Sequence, residues 1–241
     1  RIEVEGGSDE QRTIFYTSLY RTFHSPFQVT DSLMRRYLGT DGRPHRAEMQ
    51  ANYYSSWSLW DTYRTKFPLI TLLDPARSAD IMQSLAQLYV TGKQDWSTDY
   101  ECVPTVRTEH AIATLLDAYR QGISIPNLDE AWAGMVREAE RMPLKTPDQC
   151  LEASVDYWAL GQLAQETGRE DEALWWTHRG EQVFDSVWTK EFMIIDSTYT
   201  RMRGNGLYQG TRWQYRWGAP MYLKRMEQLV GSKVLLAQLE Q

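Results

Sequence analysis

Four short segments of this chain concentrate the side chains that chemistry uses. Ser58-Leu59-Trp60-Asp61-Thr62-Tyr63-Arg64 sets a carboxylate, hydroxyls and a guanidinium beside an indole at a predicted helix start. Asp61 can accept hydrogen bonds from two neighbouring hydroxyls of a ligand while Arg64, one turn on, fixes the carboxylate. The same i, i+3 spacing also describes an ion pair on a solvated helix face. Glu109-His110 precedes the apolar run 111–119, where a single histidine serves either as a ligand contact or as a cap or core residue. Pro147-Asp148-Gln149-Cys150-Leu151-Glu152 opens a strongly helical run. Glu152 lies near that helix's N-terminus, where the dipole lowers a carboxyl pKa, so a proton-donating role requires burial to offset it. A first-turn glutamate that only stabilises the helix is the other reading. Finally, Tyr208-Gln209-Gly210-Thr211-Arg212-Trp213-Gln214-Tyr215-Arg216-Trp217 is too polar for a core segment and too aromatic for plain surface. A binding surface is the simplest account of it.

The elements that must position these groups are helices. Residues 10–23 place Ile14, Phe15, Leu19, Tyr20 and Phe23 near one stripe, and 55–66 do the same with Trp57, Leu59, Trp60 and Tyr63 before Pro68 interrupts. Asp74-Pro75 reads as N-cap and first helical position of a helix ending near Gly92. Further helices are predicted over 106–121, 127–141, 148–167, 170–187, 211–229 and 232–240, about nine in all. The intervals 24–54, 92–105 and 188–210 are long and polar, as functional loops are. Residues 159–174 around Gly168 look like one tetratricopeptide repeat, but no second copy follows at the expected period. An all-α fold of the α/α toroid type, six-hairpin and incomplete at nine helices, fits the unequal loops better. No linker divides the chain, so 1–241 is expected to be a single helical segment.

Composition removes several classes. Net charge is −6, from 26 basic and 32 acidic residues mixed along the chain, so no basic stripe is available for phosphates and nucleic acid is not an expected partner. No apolar run approaches a membrane span. Two cysteines, Cys102 and Cys150, make no disulfide framework and have no metal-ligand spacing. Ten Trp and 14 Tyr stand beside six Phe. Most aromatics therefore carry a polar tip as well as an apolar face, which suits sugar stacking but equally suits a helical core whose polar ends find partners.

Taken together, the chain resembles the calcium-dependent, inverting exo-α-mannosidases of glycoside hydrolase family 92. The resemblance is carried by residues 15–22, by Ser58 to Arg64, by Glu109-His110-Ala111 with Asp117-Ala118-Tyr119, by Leu151-Glu152-Ala153, and by Trp213-Gln214-Tyr215-Arg216-Trp217, in family order. It implies an α/α toroid preceded by a β-sandwich, a calcium ion gripping adjacent hydroxyls of a terminal mannose, a mannose-containing glycan as partner, and a secreted or periplasmic location. Carried over residue by residue, Glu152 falls on the general acid. Trp60, Asp61 and Arg64 fall on the subsite holding the terminal mannose, with Thr62, His110 and Trp213 expected alongside. Tyr208 and Gln209 stand where α-1,2-specific members have a histidine-glutamate pair, so contacts to the leaving sugar differ. Gln214 lies in the motif beside the calcium site and is the expected metal-side residue.

An inverting mechanism needs a base opposite the acid, with carboxyls roughly 6.5–9.5 Å apart. In the family that base belongs to an aspartate-rich segment beyond residue 241, and the β-sandwich lies before residue 1. The missing flanking segments of the same polypeptide are therefore expected partners, and the 241-residue chain by itself is expected to be inactive. Any base within it is to be sought among Asp95, Asp99, Glu101, Glu109 and Asp196. Two other readings compete: a carbohydrate-binding remnant that keeps the pocket without turnover, and a tetratricopeptide-like scaffold whose aromatics are core.

Overall fold

Local capping signals fix most of the helices. The computed structural model describes residues 2–47, 51–101, 105–202 and 206–240, so Cys102 lies outside the described residues. Helix α1 (Asp9–Thr22) opens on a capping box between Ser8 and Gln11. Strand β1 (Phe27–Gln28) pairs antiparallel with β4 (Tyr54–Ser55), and β2 (Arg36–Leu38) pairs antiparallel with β3 (Pro44–Arg46). Helix α2 is the single turn Leu59–Thr62, followed by α3 (Lys66–Leu73), α4 (Pro75–Thr91) and α5 (Ala111–Arg120). Then come α6 (Leu128–Arg141), α7 (Pro147–Glu166), α8 (Glu170–Val187), a π-helical turn at Trp188–Phe192, α9 (Arg212–Tyr215), a 3-10 turn at Pro220–Tyr222, α10 (Leu223–Val230) and α11 (Ser232–Leu239).

Helices dominate as expected, and α4 begins and ends where its residues dictate. Asp74 accepts from Arg77 N–H, Pro75 takes the first position and Gly92 stops the helix in a left-handed conformation. Five departures have physical reasons. The interval 24–54 is not only loop, because two short ladders organise it; strands of two or three residues leave no period-2 pattern to read. Pro68 does not interrupt a helix but sits in the first turn of α3, where the missing N–H would have no intrahelical acceptor. The helix predicted from 106 starts only at Ala111, since Arg107 and His110 are left-handed, with φ of 51° and 68°. The helix predicted over 211–229 breaks at Gly218-Ala219-Pro220, where Pro220 drives Ala219 out of helical geometry. The apolar stripe of α1 is not a core stripe: no residue of α1 is buried, and Ile14 and Tyr20 are 59% and 69% exposed.

The chain forms two compact units, residues 1–132 and 133–241. In the first, α3, α4 and α5 pack on one another around buried Ile70, Leu85, Leu88, Ile112 and Leu115, with Trp57 and Leu59 buried beside them in the chain order. Each such side chain taken from water is worth roughly 1.5–3 kcal/mol. In the second, α7 and α8 form an antiparallel hairpin, the most extensive helix–helix contact among the described residues. Two glycines permit it. A Cβ on Gly161 would lie 2.7 Å from the Thr177 backbone nitrogen, and one on Gly180 would lie 3.2 Å from both Ser154 O and Trp158 N. This hairpin is the segment that looked like a tetratricopeptide repeat.

Candidate active-site residues

In the first unit, α2 carries the expected ligand-holding residues. Asp61 and Arg64 are exposed, and Trp60 and Thr62 are half-buried. The Asp61 carboxylate accepts from Ser58 Oγ at 3.0 Å, three residues behind it, while Arg64 Nε donates to Tyr63 OH at 2.7 Å. The Thr62 hydroxyl donates back to the Ser58 carbonyl. A four-residue helix has no stability of its own, and α2 has no side-chain cap. It is held instead by the turn at 107–110. Leu59 N–H and Trp60 N–H both donate to the Arg107 carbonyl, at 3.0 and 3.2 Å. The Arg107 guanidinium lies 4.5 Å from the Trp60 ring centre and donates through Nε to Glu109 Oε1 at 2.8 Å. At the other end of α2, Tyr63 packs on the His110 ring, centroids 4.3 Å apart. His110 is 3% exposed and starts α5, so it is a buried packing partner of Tyr63.

In the second unit, Glu152 is half-buried, about one and a half turns inside α7 from its N-terminal end. Asp148, four residues earlier and hence on the same face, is buried and saturated. Its Oδ1 accepts from the Thr146 hydroxyl and from Gln149 N–H, and its Oδ2 accepts from Tyr208 N–H at 3.0 Å. Asp148 N–H in turn donates to Gly206 O. The 206–208 strand of backbone is thereby pinned to the first turn of α7, one turn before Glu152. Asp148 is not singled out by the sequence, because the partner that gives it this role, Tyr208, lies 60 positions on.

The 208–217 segment is divided between surface and core. Tyr208, Gln209 and Gln214 are exposed, and Gln209 is left-handed with φ 52°. Trp213 is half-buried, edge-on to Tyr199 and Trp217. Arg216, by contrast, is fully buried, its guanidinium 4.5 Å from the Trp188 ring centre. It donates to the Phe192 carbonyl and, at 2.6 Å, to Gln238 Oε1. Within the segment Thr211 and Arg216 are buried, Trp213, Tyr215 and Trp217 are half-buried, and Tyr208, Gln209 and Gln214 are exposed. Gln214 Oε1 closes a capping box, accepting from Thr211 N–H at 2.9 Å and Thr211 Oγ1 at 3.1 Å.

Among the described residues, no three acidic, histidine or cysteine side chains cluster as metal ligands. With Gln214 Oε1 occupied twice, these residues as they stand do not make the roughly six to eight oxygen contacts that calcium takes. Of the carboxylates considered as bases, Asp95 pairs with Lys93 and Thr108, Glu101 with Thr105 and Thr98 N–H, and Glu109 with Arg107. Asp196 is held down to about 2 by hydrogen bonds from Thr198 and Arg212, which makes it a poor base at neutral pH. Asp99 is exposed.

The family model for the glycosyl hydrolase family 92 catalytic domain matches residues 1–150. The match covers α2 and the 107–110 turn and stops two residues short of Glu152. No curated protein matches in sequence. Among solved structures, the gh92 family glycosyl hydrolase ccman5 superposes with TM-score 0.81 at 26% identity, over 98% of this chain and 35% of that one. The family GH92 alpha-mannosidase BT3965 from Bacteroides thetaiotaomicron gives TM-score 0.79 at 20% identity, over 98% of this chain and 36% of that one. The chain thus spans about a third of the length of these structures, and it belongs to glycosyl hydrolase family 92.

Proposed function

We propose that this chain is the mannose-holding and proton-donating part of an α/α toroid that removes terminal α-linked mannose from glycans with inversion at the anomeric carbon. Family membership and the likeness to a solved α-mannosidase support the substrate class. In the first unit, Trp60, Asp61, Thr62 and Arg64 are the residues for the terminal sugar; in the second, Trp213 is a further sugar contact, Tyr208 and Gln209 meet the leaving sugar, and Glu152 protonates the departing oxygen. The observation that carries the last assignment is the Asp148 bond to Tyr208 N–H. It holds the Tyr208 backbone against the first turn of α7, one turn before Glu152, and that nearness supports Glu152 as the acid. Calcium enters this reading through the family resemblance, and dialysis against a chelator is its check. No helix among the described residues is long and apolar enough to cross a membrane. That is compatible with action on glycans outside the cell.

Leaving-group dependence tests the acid. Glu152→Gln is expected to slow hydrolysis of alkyl mannosides by ~10²–10⁴-fold, while 4-nitrophenyl α-mannoside, whose phenolate leaves unaided, loses far less. Equal loss on both substrates would make Glu152 a binding or structural residue.

A further inference from the structure

We propose that the Arg107–His110 turn is the positioning element of the sugar-holding residues, and that Arg107 determines how a sugar ring meets Trp60. The proposal deepens the reading of α2 above and rests on it for the identity of the sugar. Its structural half stands independently. Helix α2 is a single turn without a side-chain cap, yet both of its ends are held by this one turn. The Arg107 carbonyl takes the first two amides of α2, and the His110 ring backs Tyr63 at its C-terminal end. Two non-glycine residues only three apart, Arg107 and His110, adopt left-handed backbone. Strain of this kind persists where surroundings over-determine it, and here it aims the Arg107 carbonyl at α2 and lets α5 start at Ala111.

The Arg107 side chain adds specificity to this support. Its guanidinium covers one face of the Trp60 indole at 4.5 Å and is oriented by Glu109 at 2.8 Å. The indole face under the guanidinium is thereby closed to a stacking sugar, so Arg107 restricts how a ring can approach Trp60 and the neighbouring Asp61 carboxylate. Glu109, a candidate base by sequence, is a clamp on Arg107. Arg107 and Glu109 are positioning residues, acting through Trp60 and the α2 backbone.

The test combines amide exchange with kinetics on the intact protein. In Arg107→Met, exchange at Leu59 and Trp60 is expected to quicken at least tenfold while the amides of α4 and α7 stay at wild-type rates. KM for 4-nitrophenyl α-mannoside should rise about tenfold with kcat within threefold. Arg107→Lys, which keeps a cation beside the indole, should recover part of the KM. Glu109→Gln, which preserves shape, should give a smaller KM rise in the same direction and serves if Arg107→Met fails to fold. Unchanged exchange at Leu59 and Trp60, faster exchange spread evenly through the first unit, or a loss confined to kcat would each overturn the proposal. If wild-type protein that includes the flanking segments carrying the base hydrolyses no mannoside, the mannosidase reading fails by itself, and the exchange measurement still decides whether this turn positions α2.

Discussion

The segments 58–64 and 208–217 both mix aromatic and polar side chains, and they are used in opposite ways. In the first, the apolar members turn inward, with Leu59 buried, while Asp61 and Arg64 face solvent on a turn held by its neighbour. In the second, a cation goes inward: Arg216 is buried against Trp188 and Trp217, and the exposed groups are the uncharged Tyr208, Gln209 and Gln214. Density of polar aromatics thus does not separate a site from a core. What separates them is whether the polar atoms are already saturated by the protein.

That contrast can be broken by substitution. Arg216→Ala removes the donor to the buried Phe192 carbonyl and to Gln238, and orphaning these acceptors should cost about 1–3 kcal/mol each in urea unfolding. A loss no larger than that of a surface arginine would mean the segment is surface after all. Asp148→Ala orphans Tyr208 N–H and should cost about 1–3 kcal/mol, with Tyr208 and Gln209 amides exchanging faster than those of α8. Asp61→Ala should change stability by less than about 0.5 kcal/mol while abolishing mannoside binding measured by calorimetry. A stability loss as large as that of Arg216→Ala would erase the difference between the two segments.

The smallest effect is a pH dependence of the latch beside the second segment. Asp196 is lowered from 3.8 to about 2 in the folded protein. Its contribution is therefore present above its ordinary value and fades as pH falls toward 2. Proton resonances of Thr198 should follow that loss, and Asp196→Asn should flatten it.

How far the sequence could be read follows from the range of the forces involved. Asp74-Pro75 and Gly92 set α4 through contacts within four residues, so its ends were legible. The start of α5 was not, because Arg107 is held by Glu109 and by amides some 48 residues away at Leu59. The α2 motif was legible by residue type, while its support was not. Asp148 was hidden for the same reason: its defining partner is Tyr208, 60 positions on. Burial of Arg216 depends on Trp188, Phe192 and Gln238, none of them within reach of local periodicity.

The glycine contacts between α7 and α8 carry one more consequence. Because Gly161 meets Thr177 and Gly180 meets the Ser154–Trp158 stretch without room for a methyl group, the two helices can mesh in one axial setting only. Sliding α7 by one turn, about 5.4 Å, would bring Tyr157 or Gln165 in place of Gly161 against Thr177 and jam. The hairpin is indexed like a vernier, and Glu152, nine residues along the same rigid rod from Gly161, inherits its position from that index. Gly161→Ala should therefore displace the acid without touching it.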